Sequence, residues 1–219
     1  KQVNTVPSEG KHVGSVVFTP ECAGDIIGML LGNYVGDGVM LEGISQWKDK
    51  KGQRVADERL SISAMPHHEA IVCGERYTAD GRVSEDYDII RDGVLQRFML
   101  SSFVANKLGL EPAPNSSRSL VVQPGGQALE DIISGIENGL LVSRFSGGQP
   151  SPSGEFSGVA KNSFLIENGK VTHAVTETMI SGNLAGMLDK LRGISRETVK
   201  NGNSVLPYLA VDGITISGK

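Results

Sequence analysis

The sequence predicts an α+β fold: a mainly antiparallel, barrel-like β meander with several interspersed helices. Seven Asp-Gly or Asn-Gly dipeptides, which supply the positive φ angles of tight hairpin turns, occur along the chain. Runs of β-branched and aromatic residues flank several of them, while helical periodicity is confined to a few segments. Strands and helices do not alternate regularly, so a parallel βαβ architecture is not expected. The dipeptides begin at Asp37, Asp80, Asp92, Asn138, Asn168, Asn201 and Asp212.

The strongest helix signal begins after Thr19. Thr19 can cap a helix, and Pro20 suits the first helical position because its missing N–H would have no partner there. Apolar residues then recur at helical spacing, which predicts a helix with one buried face. These residues are Ala23, Ile26, Ile27, Leu30, Leu31 and Tyr34.

Hairpins and shorter helices follow along the chain. Residues 87–98 predict a hairpin that turns at Asp92-Gly93, and residues 163–175 predict another that turns at Asn168-Gly169. Further helices are predicted at 102–108, which ends at Gly109, at 127–136, and at 183–191, which ends at Gly193. Residues 112–119 and 146–154 are rich in Pro, Gly and Ser and predict loops.

Composition narrows the class of protein. Glycine accounts for 28 of 219 residues, but it has no triplet period and only 9 prolines accompany it, which excludes collagen. The apolar content of 39% argues against disorder. A net charge of −4, with basic and acidic residues interspersed, argues against direct nucleic-acid or membrane partners. No apolar run approaches the roughly 18 residues of a membrane span.

The cysteine content and the first residues of the chain predict its compartment and its processing. Cys22 and Cys73 are too few for a disulfide framework, so a cytoplasmic location is expected. The chain begins at Lys1 with neither an initiator Met nor a signal sequence, which favours a fragment or a processed chain.

His67, His68, Glu69 and Cys73 form the first candidate for a metal site. Adjacent histidines point apart on a helix and to opposite faces of a strand, so only one of them could join Cys73. Pro66 also favours a loop or the start of a strand over a helix. A structural or surface role is therefore favoured for this cluster.

Two nucleophile candidates are weak. His173 and Ser163 lie on opposite arms of one predicted hairpin, but no nucleophile-elbow motif marks the serine, and a strand histidine without catalytic role is favoured. Cys22 stands near a helix N-terminus, which could lower its pKa, yet a buried and inert thiol is favoured there.

The segment 146–158 combines glycine and serine at high density. It lacks the glycine spacing and the Lys-Ser/Thr ending of phosphate-binding loops. Small residues would allow the close approach of an extended peptide adding to a sheet edge, and the simpler alternative is a plain flexible loop. The candidate peptide-binding residues are Gly147, Gly148, Ser153, Gly154, Phe156 and Gly158.

Four blocks in the second half resemble the C-terminal region of the TldD/PmbA family, whose PmbA branch is also called TldE. The blocks are residues 138–145, 153–160, 164–171 and 178–184. The resemblance extends upstream through residues 90–95 and 105–110, and more weakly through 13–55, so it covers nearly the whole chain. The last strand-like stretch from Val205 also looks like the PmbA branch. The chain departs from the usual family pattern at residues 112–117.

The resemblance implies a cytoplasmic zinc metallopeptidase assembly, connected with modulation of DNA gyrase, in which a zinc-bearing TldD subunit pairs with PmbA. In the zinc subunit, histidines and a glutamate on the helix corresponding to residues 20–36, with a late cysteine, form the metal site. Alignment on residues 43–47 puts Met29, Leu30 and Asn33 at the helix positions and Thr198 approximately at the cysteine. These residue types cannot reproduce a zinc site.

The resemblance therefore implies that residues 1–219 are the C-terminal domain of a PmbA-like protein whose N-terminal domain is absent. We expect no catalytic residues and no cofactor in this chain, zinc in a TldD-like partner, and an extended polypeptide substrate. One alternative is an autonomous peptidase with a His/Cys site that the missing domain completes. Another is a non-enzymatic homodimeric scaffold.

Overall fold

The structure, a computed structural model, describes residues 4–219 and divides into two compact units. The first unit holds the chain up to Ile27 with Pro124–Thr198 and Pro207–Lys219, and the second holds Gly28–Gln123 and Val199–Leu206. The helices of the described chain are α1 (Pro20–Tyr34), α2 (Asp37–Leu41), α3 (Ser102–Leu108), α4 (Leu129–Ser134) and α5 (Leu184–Leu188). Its strands are β1 (Thr5–Pro7), β2 (Lys11–Phe18), β3 (Ile62–Ala64), β4 (Tyr87–Arg91), β5 (Val94–Leu95), β6 (Leu120–Val122), β7 (Asn138–Val142), β8 (Arg144–Gly147), β9 (Glu155–Lys161), β10 (Phe164–Glu167), β11 (Lys170–Thr176), β12 (Met179–Asn183), β13 (Leu191–Lys200) and β14 (Val205–Ser217).

The first unit contains a mixed sheet with the order β1-β11-β10-β7-β2-β14, and β14 also pairs with β12, which continues through β9 to β8. Most of these pairs are antiparallel, but β1 runs parallel to β11 and β2 parallel to β7. Within residues 4–219, β1 and β8 each pair with one strand only, so the sheet is open. The α+β class is confirmed, whereas barrel-like closure is wrong. A simple meander fails because β2 and β7 are parallel neighbours that no tight turn can join.

Packing of α4 on this sheet forms a core of the first unit. Isoleucines of α4 and of the residues after it meet apolar side chains from three strands. The cluster comprises Val17, Ile132, Ile133, Ile136, Ile166 and Ala210. Burial of such side chains stabilises by about 1.5–3 kcal/mol each, which outweighs the modest propensity of so short a helix.

The second unit contains the antiparallel order β6-β3-β4-β5, and Val205 at the start of β14 pairs in parallel with Val121 of β6. Its aromatic anchor is Tyr34 at the end of α1, whose ring stacks on Trp47 with 4.5 Å between the centroids. The Ser45 hydroxyl donates to the Tyr34 carbonyl at 2.5 Å and accepts from the Trp47 amide at 3.0 Å. These contacts fix the end of α1.

The helix predictions had mixed outcomes. The helix from Pro20 to Tyr34 is confirmed, as is the helix 102–108, where the Ser101 hydroxyl accepts from the Val104 amide and Gly109 ends the helix at φ +68°. The predicted helix 127–136 is shortened to α4, because the Gln127 backbone is engaged with β13 and accepts from Arg196.

The predicted helix 183–191 is wrong in its second half. The Asn183 side chain accepts from the Gly186 amide at 2.9 Å, so the helix begins where expected. It ends at Leu188, and Leu191 starts β13, in which Gly193 is buried. The helical pattern of the sequence therefore extends beyond the end of the helix, as far as Leu191, which forms part of a strand.

Four of the seven turn predictions are confirmed. Asp92-Gly93 and Asn168-Gly169 form two-residue hairpin turns with positive φ at both positions, as a type I′ turn requires. Asp80-Gly81 turns between the bridged pair Tyr77 and Val83, and Asn201-Gly202 turns between β13 and β14.

Three of the dipeptides have other roles. Asp37-Gly38 starts α2, because Gly36 is its N-cap and the Asp37 carboxylate accepts from the Ser101 amide. Asn138-Gly139 lies inside β7, where a Cβ on Gly139 would be 2.4 Å from the Ser15 carbonyl oxygen of β2. Asp212-Gly213 is a bulge in β14, with Gly213 at φ +78° and a register shift against β2.

Replacing Gly93 with alanine should destabilise the protein more than replacing Gly81 does. Both glycines have positive φ, +73° and +83°, which costs an L-residue roughly 1–2 kcal/mol. Only at Gly93 would the new Cβ also overlap, at 2.3 Å from the Ala56 carbonyl oxygen, since at Gly81 it meets nothing within 4 Å. Urea midpoints of the two variants measure the difference. Equal losses would contradict a close approach at Gly93.

Candidate functional site

The helix α1 presents two chemically different faces. Successive helical residues are rotated by about 100°, so Ile26, Ile27 and Leu30 share one face, and all three are buried. Gly28 and Gly32, four residues apart, lie together on another face and are exposed. An added Cβ at either glycine would meet no atom within 4 Å. This second face is therefore open.

The positions that the family resemblance aligns with zinc ligands carry no suitable donors. Leu30 is fully buried at 0% exposure, and Met29 and Asn33 are partly buried beside it on the helix. Thr198, the approximate equivalent of the cysteine, is a partly buried residue of β13. Zinc is held in proteins by imidazole, thiolate and carboxylate groups. A thioether, a hydrocarbon, an amide and a hydroxyl do not fit the metal.

The hairpin of β8 and β9 uses two of its glycines internally. Gly147 and Gly158 are paired across the two strands, and the Phe145 ring covers both. A Cβ on Gly147 would lie 2.5 Å from the Phe145 ring, and one on Gly158 would lie 2.5 Å from the Gly147 Cα. Gly148, by contrast, has open space around it. The glycines of this segment therefore have different roles.

The other candidate residues of the segment divide between core and surface. Phe156 is 4% exposed and meets Phe145 edge to face at 5.6 Å. Gly154 is buried with φ +90°, and its carbonyl accepts from the Leu184 amide at the start of α5. Ser153 is exposed, and its carbonyl accepts from the Asn183 side chain at 2.8 Å. Peptide binding by this set stays a prediction, with Gly148 and Ser153 its most accessible members.

The β8 edge is partly covered by the beginning of α1. The Thr19 hydroxyl donates to the Ser143 carbonyl at 3.4 Å, and the Cys22 thiol accepts a hydrogen bond from the Phe145 backbone. Alternate residues of a strand direct their backbone groups to opposite edges, so Gly147 faces the same edge as Phe145. In the described chain, no backbone bond other than strand pairing with β9 involves Gly147.

A cavity of about 700 Å³ lies within the second unit. We call it the α1 cavity. One wall is the open face of α1 with Gly28, Leu31 and Gly32, followed by Gly36. The other walls come from the turn 78–82, from residues 99–103 at the start of α3, and from the loop 113–118. Its volume falls in the range of about 300–1,000 Å³ that is usual for ligand pockets.

Hydrogen bonds fix the turn wall of the α1 cavity. The Asp80 carboxylate accepts from the Ser102 hydroxyl, from the Thr78 hydroxyl at 2.5 Å and from Arg82 Nε at 3.1 Å. These bonds hold the pKa of Asp80 well below its usual range. The Arg82 guanidinium also donates twice to the Ala113 carbonyl, at 3.1 and 3.2 Å. The Asp80 carboxylate thus links the turn to α3, and Arg82 links it to the loop.

The His67, His68, Glu69 and Cys73 cluster does not assemble into a metal site. His67 Nε2 lies 2.9 Å from the Glu75 carbonyl oxygen, and His68 Nδ1 accepts from the Ala70 amide at 3.1 Å. Glu69 is near Lys200, and Cys73 is exposed. Across residues 4–219, no group of three or more His, Cys, Asp or Glu side chains is arranged to hold a metal. A structural or surface role for this cluster stays a prediction.

His173 and Ser163 are also separate in their contacts. Ser163 is buried, and its hydroxyl donates to the Lys161 carbonyl at 2.8 Å. His173 is largely exposed and lies 3.9 Å from the Glu167 carboxylate. The serine hydroxyl is therefore engaged by the backbone instead of by an imidazole base.

The α1 cavity was not predicted from the sequence, although one signal for it was present. Gly28, Gly32 and Gly36 recur at intervals of four within and just after a predicted helix, a spacing that puts them on one face. The remaining walls come from loops far away in sequence, such as those that contain Asp80 and Arg118. Their convergence depends on tertiary structure.

Comparison with known proteins gives a consistent picture. The PmbA/TldA metallopeptidase C-terminal domain matches residues 11–218. The metalloprotease PmbA of Escherichia coli O157:H7 is 28% identical over 206 residues, which are 90% of this chain and 45% of that protein. A zinc metalloprotease TldD homologue of Saccharolobus solfataricus is 25% identical over 241 residues, 98% of this chain and 53% of that protein. The chain spans about half the length of these relatives.

Solved structures share the fold. A proposed modulator of DNA gyrase from Bacteroides thetaiotaomicron superposes with a TM-score of 0.86 at 27% identity, covering 100% of this chain and 49% of that one. TldE from Thermococcus kodakarensis gives a TM-score of 0.83 at 21% identity, covering 98% of this chain and 52% of that one, which is a likeness of fold. Separately, none of the helices within residues 4–219 combines the length and the hydrophobicity that a bilayer span requires.

The two cysteines should differ sharply in reactivity. Burial, with a further contribution from the Asp25 charge, raises the pKa of Cys22 to about 12, so its thiol stays protonated at pH 8. Cys73 is exposed. A chromogenic disulfide reagent should therefore titrate one thiol in the native protein and two in urea. In Cys73→Ser the native reaction should vanish, and a fast remaining thiol would contradict the inertness of Cys22.

Proposed function

Because the chain belongs to the PmbA/TldD metallopeptidase family, we propose that it is the C-terminal domain of a subunit that binds no zinc and works with a zinc-bearing TldD-like partner. In this assembly the partner holds the metal, and the present chain helps to bind an extended polypeptide substrate. The substrate is an unfolded peptide, which the assembly degrades or matures.

The observation that carries this proposal is the burial of Leu30. At the position that the family resemblance aligns with a metal-assisting glutamate, this chain has a hydrocarbon side chain at 0% exposure within the apolar face of α1. A carboxylate there would have to be desolvated without a cation, at a cost of several kcal/mol. The helix is therefore built for packing at this position, which supports a partner as the source of the metal.

The β8 edge supports the role in substrate binding. An extended peptide can add to a free strand edge through backbone hydrogen bonds, without a fixed side-chain sequence. Past Phe145, where Cys22 covers the edge, Gly147 and Gly148 have no bulky side chain to block an incoming strand. Backbone recognition of this kind suits a substrate that is recognised because it is unfolded.

Co-purification with a zinc-bearing relative from the same genome tests the assembly. We expect the full-length protein to form a stable complex with that relative, with zinc by elemental analysis only in the partner. Turnover of an unfolded peptide should require both chains. Tight binding of one zinc by this protein alone, with peptide cleavage, would overturn the proposal in favour of an autonomous peptidase. If the protein forms a homodimer and does not bind the relative, the result would indicate a non-enzymatic scaffold.

Replacing Gly148 with valine should weaken turnover of unfolded peptides by the assembled complex while leaving stability nearly unchanged. Gly148 has no atom within 4 Å of an added Cβ, so only an incoming strand would meet the side chain. Gly126→Val, at a similarly open position outside the segment, is the matched control. Gly147→Val is unsuitable, because it would displace the Phe145 ring and disturb the hairpin. Equal KM values for the Gly148 and Gly126 variants would contradict a role for the β8 edge.

A further inference from the structure

The open wall of the α1 cavity is not explained by packing. Glycine at an exposed position inside a helix is less favourable than alanine, because it loses more backbone freedom on folding. Gly28 and Gly32 lie in the middle of α1, and an alanine methyl at either one would meet no neighbour within 4 Å. The fold therefore keeps two unfavourable residues at positions that would accept better ones. Their effect is to leave room in the cavity.

The dimensions of that wall suit a short peptide. Gly28 and the end of α1 at Tyr34 are six residues apart, which is about 9 Å along the helix, and two non-helical residues then follow, the second of which is Gly36. An extended chain advances by about 3.3 Å per residue, so the wall has the length of three to four extended residues. Because Gly28 and Gly32 carry no side chain, a peptide backbone can approach the helix closely at these two positions.

The loop opposite the helix is fixed before any ligand arrives. The Asn115 amide donates to the Ala64 carbonyl at 3.1 Å and to the Glu85 carbonyl at 2.8 Å, and its oxygen accepts from the Ser117 amide at 3.1 Å. The Ser116 amide donates to the Glu75 carboxylate at 2.9 Å. A ligand in this cavity would therefore not have to order the loop, which lowers the entropic cost of binding.

Among the charged groups that line the α1 cavity, one guanidinium is available to bind a ligand. The ionisable groups that line the cavity and can carry charge near neutral pH are Asp37, Asp80, Arg82 and Arg118. Asp37 accepts from the Ser101 amide, and Asp80 and Arg82 bind each other. The exposed Arg118 guanidinium has no hydrogen bond or ion pair with any residue in the part of the chain that the structure describes. One guanidinium beside two carboxylates favours a monoanion over a dianion.

Apolar side chains dominate the rest of the lining. Leu31 and Leu100 are buried in the wall, while Phe103 is 70% exposed at the first turn of α3. An aromatic ring exposed beside a cavity can cover an apolar side chain of a ligand and shield it from water. The ligand chemistry that fits is therefore an apolar residue close to a carboxylate.

We propose that the α1 cavity binds three or four extended peptide residues along its glycine wall, with an apolar side chain near Phe103 and a carboxylate on Arg118. The carboxylate is the C-terminus of the peptide or an acidic side chain. The inference rests on the proposed function, since it assigns part of the polypeptide binding to a cavity separate from the β8 edge. It adds a preference for carboxylate-bearing peptides.

Calorimetric titration of the protein, without partner or zinc, tests this preference. The probes are acetyl-Ala-Leu-Ala-Leu with a free carboxylate, the same peptide as its amide, and acetyl-Ala-Glu-Ala-Leu-amide with its Gln counterpart. We expect the free acid to bind about tenfold more tightly than its amide, or the Glu peptide to bind about tenfold more tightly than the Gln peptide. The pair that shows this difference identifies the carboxylate as the C-terminus or as an acidic side chain. Equal affinities, or no binding at millimolar peptide, would overturn the proposal.

Arg118→Gln should remove that tenfold preference and leave the affinity for neutral peptides unchanged. Arg76→Gln is the matched control, because it also removes an exposed guanidinium from the second unit but lies outside the lining. A preference that survives in Arg118→Gln, or one that disappears equally in Arg76→Gln, would contradict a carboxylate site at Arg118.

Alanine at the glycine wall separates a ligand site from a packing role. Gly28→Ala and Gly32→Ala should each raise the Tm by about 2–4 °C, because helix propensity improves, and should weaken peptide binding, because the methyl occupies the cavity. Gly38→Ala, in α2 and with open space around it, should be neutral for binding. Stabilised variants with unchanged affinity would overturn the proposal. None of these titrations involves the zinc partner, so their failure is distinguishable from failure of the proposed function.

Discussion

The rotation of about 100° per residue in α1 is the constraint on which the candidate site depends. It assigns Ile26, Ile27 and Leu30 to the buried face and Gly28 and Gly32 to the open one. The first face cannot carry metal ligands without giving up core packing, and side chains on the second face would occupy part of the cavity. Tyr34 fixes the end of the helix against Trp47, so neither face can rotate into the place of the other. The helix is therefore a rigid wall that supplies shape and packing, with the chemistry left to other groups.

Local signals allowed parts of this fold to be predicted from the sequence. The helix after Pro20, the helix between Ser101 and Gly109 and the hairpins at Asp92 and Asn168 were all correct, because capping residues and turn residues lie next to the elements they define. Predictions failed where a distant strand decided the outcome. Gly139 lies in a strand that pairs with β2, and a Cβ on it would be 2.4 Å from the Ser15 carbonyl oxygen. Leu191 belongs to a strand, although the sequence pattern around it predicts a helix. No neighbouring residue carries that information.

For the candidate site, too, local features could be predicted from the sequence and tertiary contacts could not. The glycine-rich segment 146–158 was found from its local composition, whereas the helix positions 29, 30 and 33 came from the family resemblance. The sequence could not separate Gly147, whose space the Phe145 ring occupies, from Gly148, whose space is empty. The sequence also could not predict that Arg118 and Gly28 line the same cavity. Ninety residues separate them, and only the tertiary structure brings them together. Glycine count alone says little, whereas what occupies the space beside each glycine distinguishes a structural role from a binding one.

Leu30 packs within the apolar face of α1 at the position that the family resemblance aligns with a metal-assisting glutamate. A carboxylate at position 30 of α1 would be fully buried, and without a cation it would be forced to take up a proton or unfold its surroundings. Leucine removes that conflict and adds apolar burial worth about 1.5–3 kcal/mol to the same helix. Once position 30 is apolar, restoring a histidine at Met29 or Asn33 alone would leave the metal without its assisting base and with too few ligands. A single substitution would therefore not build a zinc site on this helix, which supports the proposal that a partner subunit holds the metal.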